Sequence, residues 1–563
     1  MLHIWTKRGM GFMAALILGM GLGLTACDET HKGDVLASID ELSVTEAHFV
    51  SAFKRYYYRS GQVLEPSFEV KSSVLNSEFN TLVLATYAKD LGMADGPEGK
   101  RRKDMIYRRV LTEEYMDAWL NKNAMITEND MREAFGRYNT QIRASHLYAP
   151  DQWTADSLYQ LLQDGVSFDQ LAADIFRNPR LANTGGDLGI IRMDETDPAF
   201  EKMAFAMEEG EISEPVRTAQ GYSIIKVTQK TSKPIATETE YASVKDRMAY
   251  FADKMKKELA KREHMFSFIE SLKINETAVR SLSEKVDAGY SAFSSLDPEF
   301  FSSLESDEIL VSKDGYDLNV SEFADEAYLT PLGNLNRISD EAALINLIRG
   351  IAYRNYMVEI AEKQGLNNDG EVQASIDQSF YTYLAEQSIE RIRRSIEISD
   401  EDLLDYYSKN TDRFVKPLEM NLSRIVVGDE ETAGKIHQML MNGSDFGALV
   451  DEYTIKNEER LTNGELGYAY VQDYGLLSPK LSILETGEVS DPLFYQSGEY
   501  HIYKVLGRKE SKLLRFGEAR SLVRETLIEE ELERELRKTL EEVKQKHNAV
   551  VDEQKLRELT IQI

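Results

Sequence analysis

This sequence has few cysteine and histidine side chains, the residues most often used in zinc sites and disulfides. The 563 residues include one cysteine, Cys27, and eight histidines. Neither a disulfide framework nor a Cys/His zinc cluster can be assembled from this set. The sequence has no G-x-S-x-G, H-E-x-x-H or P-loop pattern, so it lacks the residues for hydrolase, metalloprotease or nucleotide-driven chemistry. We therefore expect no metal and no cofactor.

The motifs that remain lie in a stretch of strand-like runs, helices and glycine turns at residues 141–231. In order along the chain they are IRASHLYA with His146, the string GGDLG at 185–189, the helix start DPAFE at 197–201, the turn GEISEPV at 210–216 and the closing strand GYSIIKV at 221–227. Glycines alone usually mark only turns. The fixed order of all five motifs is the more specific signal.

This order resembles the parvulin-type peptidyl-prolyl isomerases, and the resemblance covers residues 141–231. Rotation about an X-Pro bond crosses a barrier of about 20 kcal/mol because it breaks amide resonance. The resemblance therefore implies catalysis in which no covalent bond forms between protein and substrate. Such catalysis needs an apolar pocket for the proline, exclusion of water from the amide and a polar group that favours the twisted amide.

The resemblance also implies which residues form the site. Its catalytic positions fall on His146, Asn178 and Ser223, and its substrate-binding positions fall on Leu188, Thr196 and Phe200. Three of these depart from the family pattern: Asn178 stands where the family has Cys or Asp, Thr196 where it has a pocket methionine, and Ser223 where it has a second histidine.

A second, more divergent copy of these motifs lies at residues 419–509. It reads NGELG at 463–467, with Arg424 at the first histidine position and Leu477 near the pocket aromatic position. His501 keeps the second histidine. Each copy thus retains one histidine of the pair. Because the first copy alone keeps GGDLG, His146 and Phe200 together, we expect catalysis mainly there and an inactive second domain.

The two copies belong to a longer duplication. LASIDELSVTEAHF from Leu36 matches LVSKDGYDLNVSEF from Leu310 at an offset of 274, and the GEIS and GEVS turns match at an offset of 277 (487 minus 210). Capping boxes Ser43-x-x-Glu46 and Asn319-x-x-Glu322 are expected to open the first helices. The pattern predicts two similar units, 35–283 and 306–563, each ending in a long charged helix with an apolar stripe.

The predicted fold class is α+β, with two parvulin-like modules, each a small antiparallel sheet flanked by helices, inserted in mainly α-helical chaperone-like regions. The predicted domains are a signal peptide (1–26), a helical region (27–140), parvulin-like domain 1 (141–231), a return helix (232–283), a linker (284–305), a second helical region (306–418), a degenerate parvulin-like domain 2 (419–509) and a C-terminal return helix (510–563).

The N-terminus has the features of an export signal. Lys7 and Arg8 precede an apolar stretch that is too short to span a bilayer comfortably, and Leu24-Thr25-Ala26-Cys27 resembles the bacterial lipoprotein cleavage box. We expect Cys27 to carry acyl chains and to hold the protein on the cell envelope, facing the periplasm, with the inner or outer membrane left open. The alternative is an uncleaved anchor beside a coincidental cysteine.

The chain as a whole looks like foldase chaperones of the SurA, PpiD and PrsA type. Its net charge of -30 makes nucleic acid a poor partner, so the expected partners are unfolded client proteins with X-Pro bonds. Three hypotheses stay open at this stage. They are a lipid-anchored isomerase and chaperone, a non-catalytic holdase whose parvulin folds only bind peptide, and a structural envelope lipoprotein.

Overall fold

A computed structural model describes residues 34–60, 66–233, 237–292, 300, 303–304, 306–313, 315–328, 341–460, 462–495 and 498–562. The predicted signal peptide and Cys27 lie outside these residues. The described parts combine long helices with small antiparallel sheets, which confirms the predicted α+β fold class. Within those ranges, no helix is long and apolar enough to cross a membrane.

The strands, in chain order, are β1 (Val35–Ile39), β2 (Leu42–Thr45), β3 (Thr140–Ala149), β4 (Asp187–Ile191), β5 (Val216–Thr218), β6 (Gly221–Ser232), β7 (Lys273–Ile274), β8 (Ile309–Lys313), β9 (Tyr316–Asn319), β10 (Val415–Lys416), β11 (Glu419–Val427), β12 (Glu465–Tyr470), β13 (Leu493–Phe494), β14 (Tyr500–Lys509), β15 (Lys512–Leu513) and β16 (Val550–Val551).

The helices, in chain order, are α1 (Glu46–Ser60), α2 (Phe68–Asp90), α3 (Pro97–Asn123), α4 (Glu128–Tyr138), α5 (Gln152–Gln163), α6 (Phe168–Ile175), α7 (Pro179–Asn183), α8 (Pro198–Ala206), α9 (Glu238–Ser271), α10 (Glu276–Ala292), α11 (Val320–Tyr328), α12 (Glu341–Lys363), α13 (Gly370–Ser395), α14 (Asp400–Lys409), α15 (Glu430–Met441), α16 (Phe446–Tyr453), α17 (Asn457–Arg460), α18 (Ser478–Leu481), α19 (Phe516–Lys546) and α20 (Glu553–Glu558).

The hairpin that opens each sequence repeat pairs with the return strand of the other repeat. One sheet has the order β16-β1-β2, with Ala37 opposite Val551, and another has the order β7-β8-β9, with Val311 opposite Ile274. The offsets, 274 (311 minus 37) and 277 (551 minus 274), are those of the sequence duplication. The two sheets are therefore equivalent, residue for residue.

This exchange corrects the predicted units, 35–283 and 306–563. Among the described residues, one compact unit comprises those up to Leu91 together with those from Thr382 onward, and the other comprises those from Gly92 to Tyr381. Strand β7 pairs with the next hairpin along the chain, 39 residues away (312 minus 273). Closing a short loop costs less entropy than closing a long one, which favours this nearer hairpin as the partner.

Two details of the repeats also differ from expectation. The first cap is formed by Thr45, whose hydroxyl accepts a hydrogen bond from His48 N at 3.3 Å, while Ser43 lies within β2. The second box is present, because Asn319 accepts from Glu322 N at 2.8 Å. The predicted linker 284–305 is helical up to the end of α10, because the apolar spacing that ends at Val286 buries that helix face in the core.

Residues 141–231, called module 1 below, form a four-stranded sheet of order β4-β3-β6-β5 with helices on both faces. Ile142 and Ala144 of β3 pack with α8 on one face, whereas Leu147 and Ala149 pack with α5 and α6 on the other. Side chains alternate between the faces of a strand. His146 consequently shares the α8 face with Ala144.

Residues 419–509, called module 2 below, repeat this sheet as β12-β11-β14-β13. Long return helices follow both modules. Helix α9 buries Met248 and Ala252 against α4 after a capping box formed by Thr237 and Glu240. Helix α19 buries an apolar stripe that includes Leu532, Leu536, Leu540 and Val543, in agreement with the predicted stripe.

Candidate active site

The centre of the candidate site is formed by two side chains on neighbouring strands. His146 of β3 and Ser223 of β6 lie on the α8 face, and the His146 Nδ1 atom is 3.4 Å from the Ser223 hydroxyl. Ser223 is buried, with 4% of its surface exposed. The structure thus brings together two of the predicted catalytic residues, although a serine replaces the second histidine.

Aromatic rings enclose the imidazole of His146. The Phe176 ring stacks on it with centroids 5.4 Å apart, and Phe200 meets it edge-on at 6.2 Å. Burial lowers the pKa of His146 below its ordinary value, so the ring is mainly neutral at pH 7. The arrangement is a neutral, partly desolvated hydrogen-bonding group against apolar walls.

The GGDLG turn places strand β4 directly against this site. His146 N donates a hydrogen bond to the Gly186 carbonyl at 3.1 Å. Gly186 has φ +74°, and a Cβ atom there would lie 2.2 Å from the His146 carbonyl oxygen. Only glycine permits this approach without a backbone shift. The turn also positions Leu188, which packs at the edge of the core that contains Phe200.

Helix α8 holds Phe200 in place, with 4% of the residue exposed. Pro198 occupies its first turn, and the Asp197 carboxylate caps it by accepting hydrogen bonds from Ala199 N at 2.9 Å and Phe200 N at 3.4 Å. The sequence DPAFE carries this cap signal, so the role of Asp197 could have been predicted from the motif.

The two remaining predicted residues have different surroundings. Asn178 is exposed, and its side-chain oxygen caps α7 by accepting a hydrogen bond from Arg180 N at 2.9 Å. Thr196 lies in the loop before α8, and its hydroxyl oxygen is enclosed without a hydrogen-bond partner among the described residues. The sequence motifs did not indicate Phe176, which lies two residues before Asn178. It is the Phe176 ring that stacks on the His146 imidazole.

Module 2 has the same strand order as module 1 but different side chains at the position of the site. Arg424 N donates to the Gly464 carbonyl at 2.9 Å, as His146 N does to Gly186. The Arg424 guanidinium pairs with Glu459, and their side chains are 24% and 10% exposed. Arg424 is therefore not a solvated surface charge, because the pairing with Glu459 allows the guanidinium to be partly buried.

His501 is deeply buried, with 2% of the residue exposed. Its Nδ1 atom is 3.1 Å from the Tyr503 hydroxyl, and the Tyr495 ring stacks on it at 4.7 Å. Burial and the neighbouring Arg424 charge lower the pKa of His501. The predicted pocket residue Leu477 is also buried. In module 2 the retained histidine is thus part of a tightly packed aromatic cluster.

Comparison with known families agrees with this geometry. The family described as the PPIC-type PPIase domain matches residues 150–229, and a second family of the same description matches residues 398–521. Both modules are parvulin-type domains. The first match begins at residue 150, directly after β3, and so does not include His146. Strand β3 nevertheless pairs with β4 and β6 of the matched region, so His146 lies in the same sheet.

Several curated proteins resemble the chain beyond these modules. Foldase protein PrsA of Oceanobacillus iheyensis is 29% identical over 232 residues, which cover 39% of this chain and 75% of that protein. Foldase protein PrsA of Bacillus subtilis is 29% identical over 225 residues, covering 39% and 76%. With the two family matches, these relatives confirm the predicted resemblance to parvulin-type foldases.

Solved structures were also matched. The crystal structure of the peptidylprolyl isomerase PrsA from Bacillus anthracis is 23% identical, with a TM-score of 0.19, and the match covers 39% of this chain and 83% of that one.

Proposed function

We propose that parvulin module 1 catalyses cis-trans isomerisation of X-Pro bonds in client polypeptides, and that the chain as a whole assists their folding. The observation that carries the proposal is the cluster of His146 and Ser223 between the rings of Phe176 and Phe200. The cluster combines apolar walls with a neutral hydrogen-bonding pair. These are the features that a non-covalent rotation about the prolyl amide requires.

In this mechanism each group has a separate task. The rings of Phe176 and Phe200, with Leu188, remove water from the proline, which weakens the solvation of the planar, polar amide. The His146 and Ser223 pair supplies hydrogen bonds as the amide twists. The Thr196 hydroxyl lacks a partner within the described chain but is enclosed, so we assign it no direct contact with the peptide. Asn178 has no such task, because its side chain caps α7.

For parvulin module 2 we propose peptide binding without isomerisation. Arg424 and Glu459 fill the position of the first catalytic histidine with an ion pair, and His501 is packed between Tyr495 and Tyr503. These features favour the second candidate function, a non-catalytic holdase, for this half of the chain. The helical regions would then hold clients near module 1.

We further propose that the protein acts at the bacterial cell envelope, attached through acylated Cys27. The support is the LTAC string after an apolar stretch, together with the likeness to foldase protein PrsA. Its partners would be partly folded proteins that carry X-Pro bonds.

The deciding experiment is a prolyl isomerisation assay on the full chain with a proline tetrapeptide and with an unfolded, proline-limited protein. We expect acceleration that is lost on His146→Ala with Ser223→Ala and is unaffected by Arg424→Ala. Full activity in the double variant would disprove the assignment to module 1. Suppression of client aggregation without any isomerisation would leave the holdase function.

A further inference from the structure

One row of side chains on return helix α9 faces parvulin module 1. Successive members are four residues apart, so each lies next to the following one along a ridge that winds slowly around the helix. Its members are Lys254, Glu258, Arg262, Phe266 and Glu270. All of them belong to the same compact unit as module 1.

Members at both ends of this row contact the module directly. Lys254 Nζ lies 2.7 Å from the Asp194 carboxylate. Near the other end, Arg217 of β5 donates to Glu270 at 2.7 Å, and its guanidinium lies 3.5 Å from the centre of the Phe266 ring. The helix is therefore docked on the loop before α8 and on strand β5.

Between these contacts, Arg262 donates to the Asp197 carboxylate at 2.6 Å. The side chains of the two residues are only 15% and 19% exposed. Arg262 is held in turn by Glu258, at 3.1 Å from its Nε atom. An ion pair with this little solvent is stronger than a surface pair, which contributes little.

Asp197 joins three segments of the site. One oxygen caps α8 through Ala199 N and Phe200 N, and the other accepts hydrogen bonds from Ala219 N at 3.1 Å and from Arg262. Ala219 lies in the turn that leads into β6, the strand of Ser223. Burial opposes ionisation of Asp197, but its hydrogen bonds outweigh that effect and lower its pKa.

The neighbouring Lys254 and Asp194 pair joins the same helix to the same loop without this connection. Its side chains are 51% and 37% exposed, and the Asp194 carboxylate oxygens accept hydrogen bonds from Lys254. The sequence of module 2 has Tyr474 at the offset position of Asp197 (197 plus 277). The bridge is thus specific to the module that retains GGDLG, His146 and Phe200.

We propose that Arg262 is a positioning residue for parvulin module 1. By holding Asp197, it fixes the start of α8, which carries Phe200, relative to the turn that leads to Ser223. The return helix therefore determines the width of the proline groove, and isomerisation depends on the docking of the module on α9. The kinetic part of this inference rests on the proposed isomerase function.

The test compares Arg262→Met, Arg262→Lys and the matched control Lys254→Met in the full chain. Hydrogen exchange of the Ala219 and Phe200 amides should accelerate roughly tenfold in Arg262→Met, since a charged hydrogen bond contributes on the order of 1.4 kcal/mol or more. Exchange should be unchanged in Lys254→Met and largely restored in Arg262→Lys. Catalysis is measured with the activity of the double variant His146→Ala, Ser223→Ala subtracted as background.

The same variants should separate in kinetics. Arg262→Met should lower kcat/KM by about three- to tenfold, mainly through KM because a wider groove binds peptide more weakly, and Lys254→Met should retain the wild-type value. Equal effects of the two methionine variants on exchange, or faster exchange in Arg262→Met with unchanged kcat/KM, would overturn the inference. If the wild-type chain has no isomerase activity, the proposed function fails, and amide exchange together with proline-peptide affinity decides the role of Arg262.

Discussion

Ala37 pairs with Val551 across an antiparallel ladder, although 514 residues separate them along the chain (551 minus 37). The equivalent residues, Val311 and Ile274, pair in the other sheet. Next to the first ladder, Asp552 N donates to the Leu36 carbonyl at 2.8 Å. The C-terminal end of the chain therefore completes the sheet of the N-terminal hairpin.

Deletion of residues 549–563 should destabilise that hairpin. It removes the β16 ladder and Leu556, which is 1% exposed, and a buried leucine contributes about 2 to 5 kcal/mol. Amide exchange in residues 35–45 should rise by at least tenfold. Residues 309–319 serve as the internal control, because their sheet is completed by β7. Unchanged exchange in 35–45 would contradict the pairing.

His547 should make the stability of this unit depend on pH. Its two ring nitrogens lie 2.6 Å from Asp40 and 2.8 Å from Asp90. Hydrogen bonding to Asp90 is the main cause that raises the pKa of His547. A raised histidine pKa stabilises the fold fully below the unfolded value of about 6.5, and the effect is lost as pH rises through the folded value.

We therefore expect His547→Gln to lower Tm more at pH 6 than at pH 9. After allowance for solvent screening the loss is about 1 kcal/mol, or roughly 2 to 4 °C. Thermal melting of both proteins across this range measures it. Burial raises the pKa of Asp90, but its hydrogen bonds to Lys546 and His547 more than offset this, so the pKa is lowered and Asp90 stays ionised over the range. A difference in Tm between the two proteins that grows with pH would contradict the prediction.

Phe200→Ala should weaken both catalysis and peptide binding by opening the proline pocket. The cavity should also cost about 3 to 5 kcal/mol of stability. Phe205→Ala is the matched control: Phe205 lies on the same helix, is 8% exposed and belongs to the same core cluster. Both variants should melt earlier, but only Phe200→Ala should lose peptide affinity. Equal loss in both would indicate a purely structural effect.

Glu459→Gln should destabilise parvulin module 2, because it leaves the Arg424 charge partly buried without a carboxylate. The expected loss is about 2 to 3 kcal/mol, below the value for a fully buried pair because Arg424 is 24% exposed. Glu431→Gln, which breaks the exposed pair with Lys435, should cost almost nothing. Denaturant unfolding of the full chain, monitored by hydrogen exchange of the backbone amides in residues 419–427, distinguishes the two variants.

Cys27→Ala should release the protein from the membrane fraction, since acyl chains on Cys27 are the proposed attachment. Cell fractionation with carbonate and salt washes tests this. Retention of the variant in the washed membranes would place the attachment elsewhere in the chain.

The motifs of module 1 are sufficient to predict its fold and the proximity of His146, Ser223 and Phe200. GGDLG demands positive φ angles and a close approach of two strands, and DPAFE specifies a capped helix that carries a buried aromatic residue. These are short-range requirements of covalent geometry and local hydrogen bonding, so the residues alone express them. The duplication was visible for the same reason, because equivalent local structure needs equivalent residues.

Tertiary structure decided the relations between distant segments. Nothing local in Ala37 or Val551 indicates that they pair. The hairpins of the two repeats are equivalent, and so are the two return strands, so local sequence does not say which return strand pairs with which hairpin. The connectivity of the chain selects the partner. The surroundings of Phe176 and Arg424 are also set by the tertiary structure. The Phe176 ring stacks on His146, and the Arg424 guanidinium is partly buried with Glu459, only once the backbone has brought these residues together. The contact between Arg262 and Asp197 is likewise electrostatic and joins residues 65 positions apart (262 minus 197), so no local pattern encodes it.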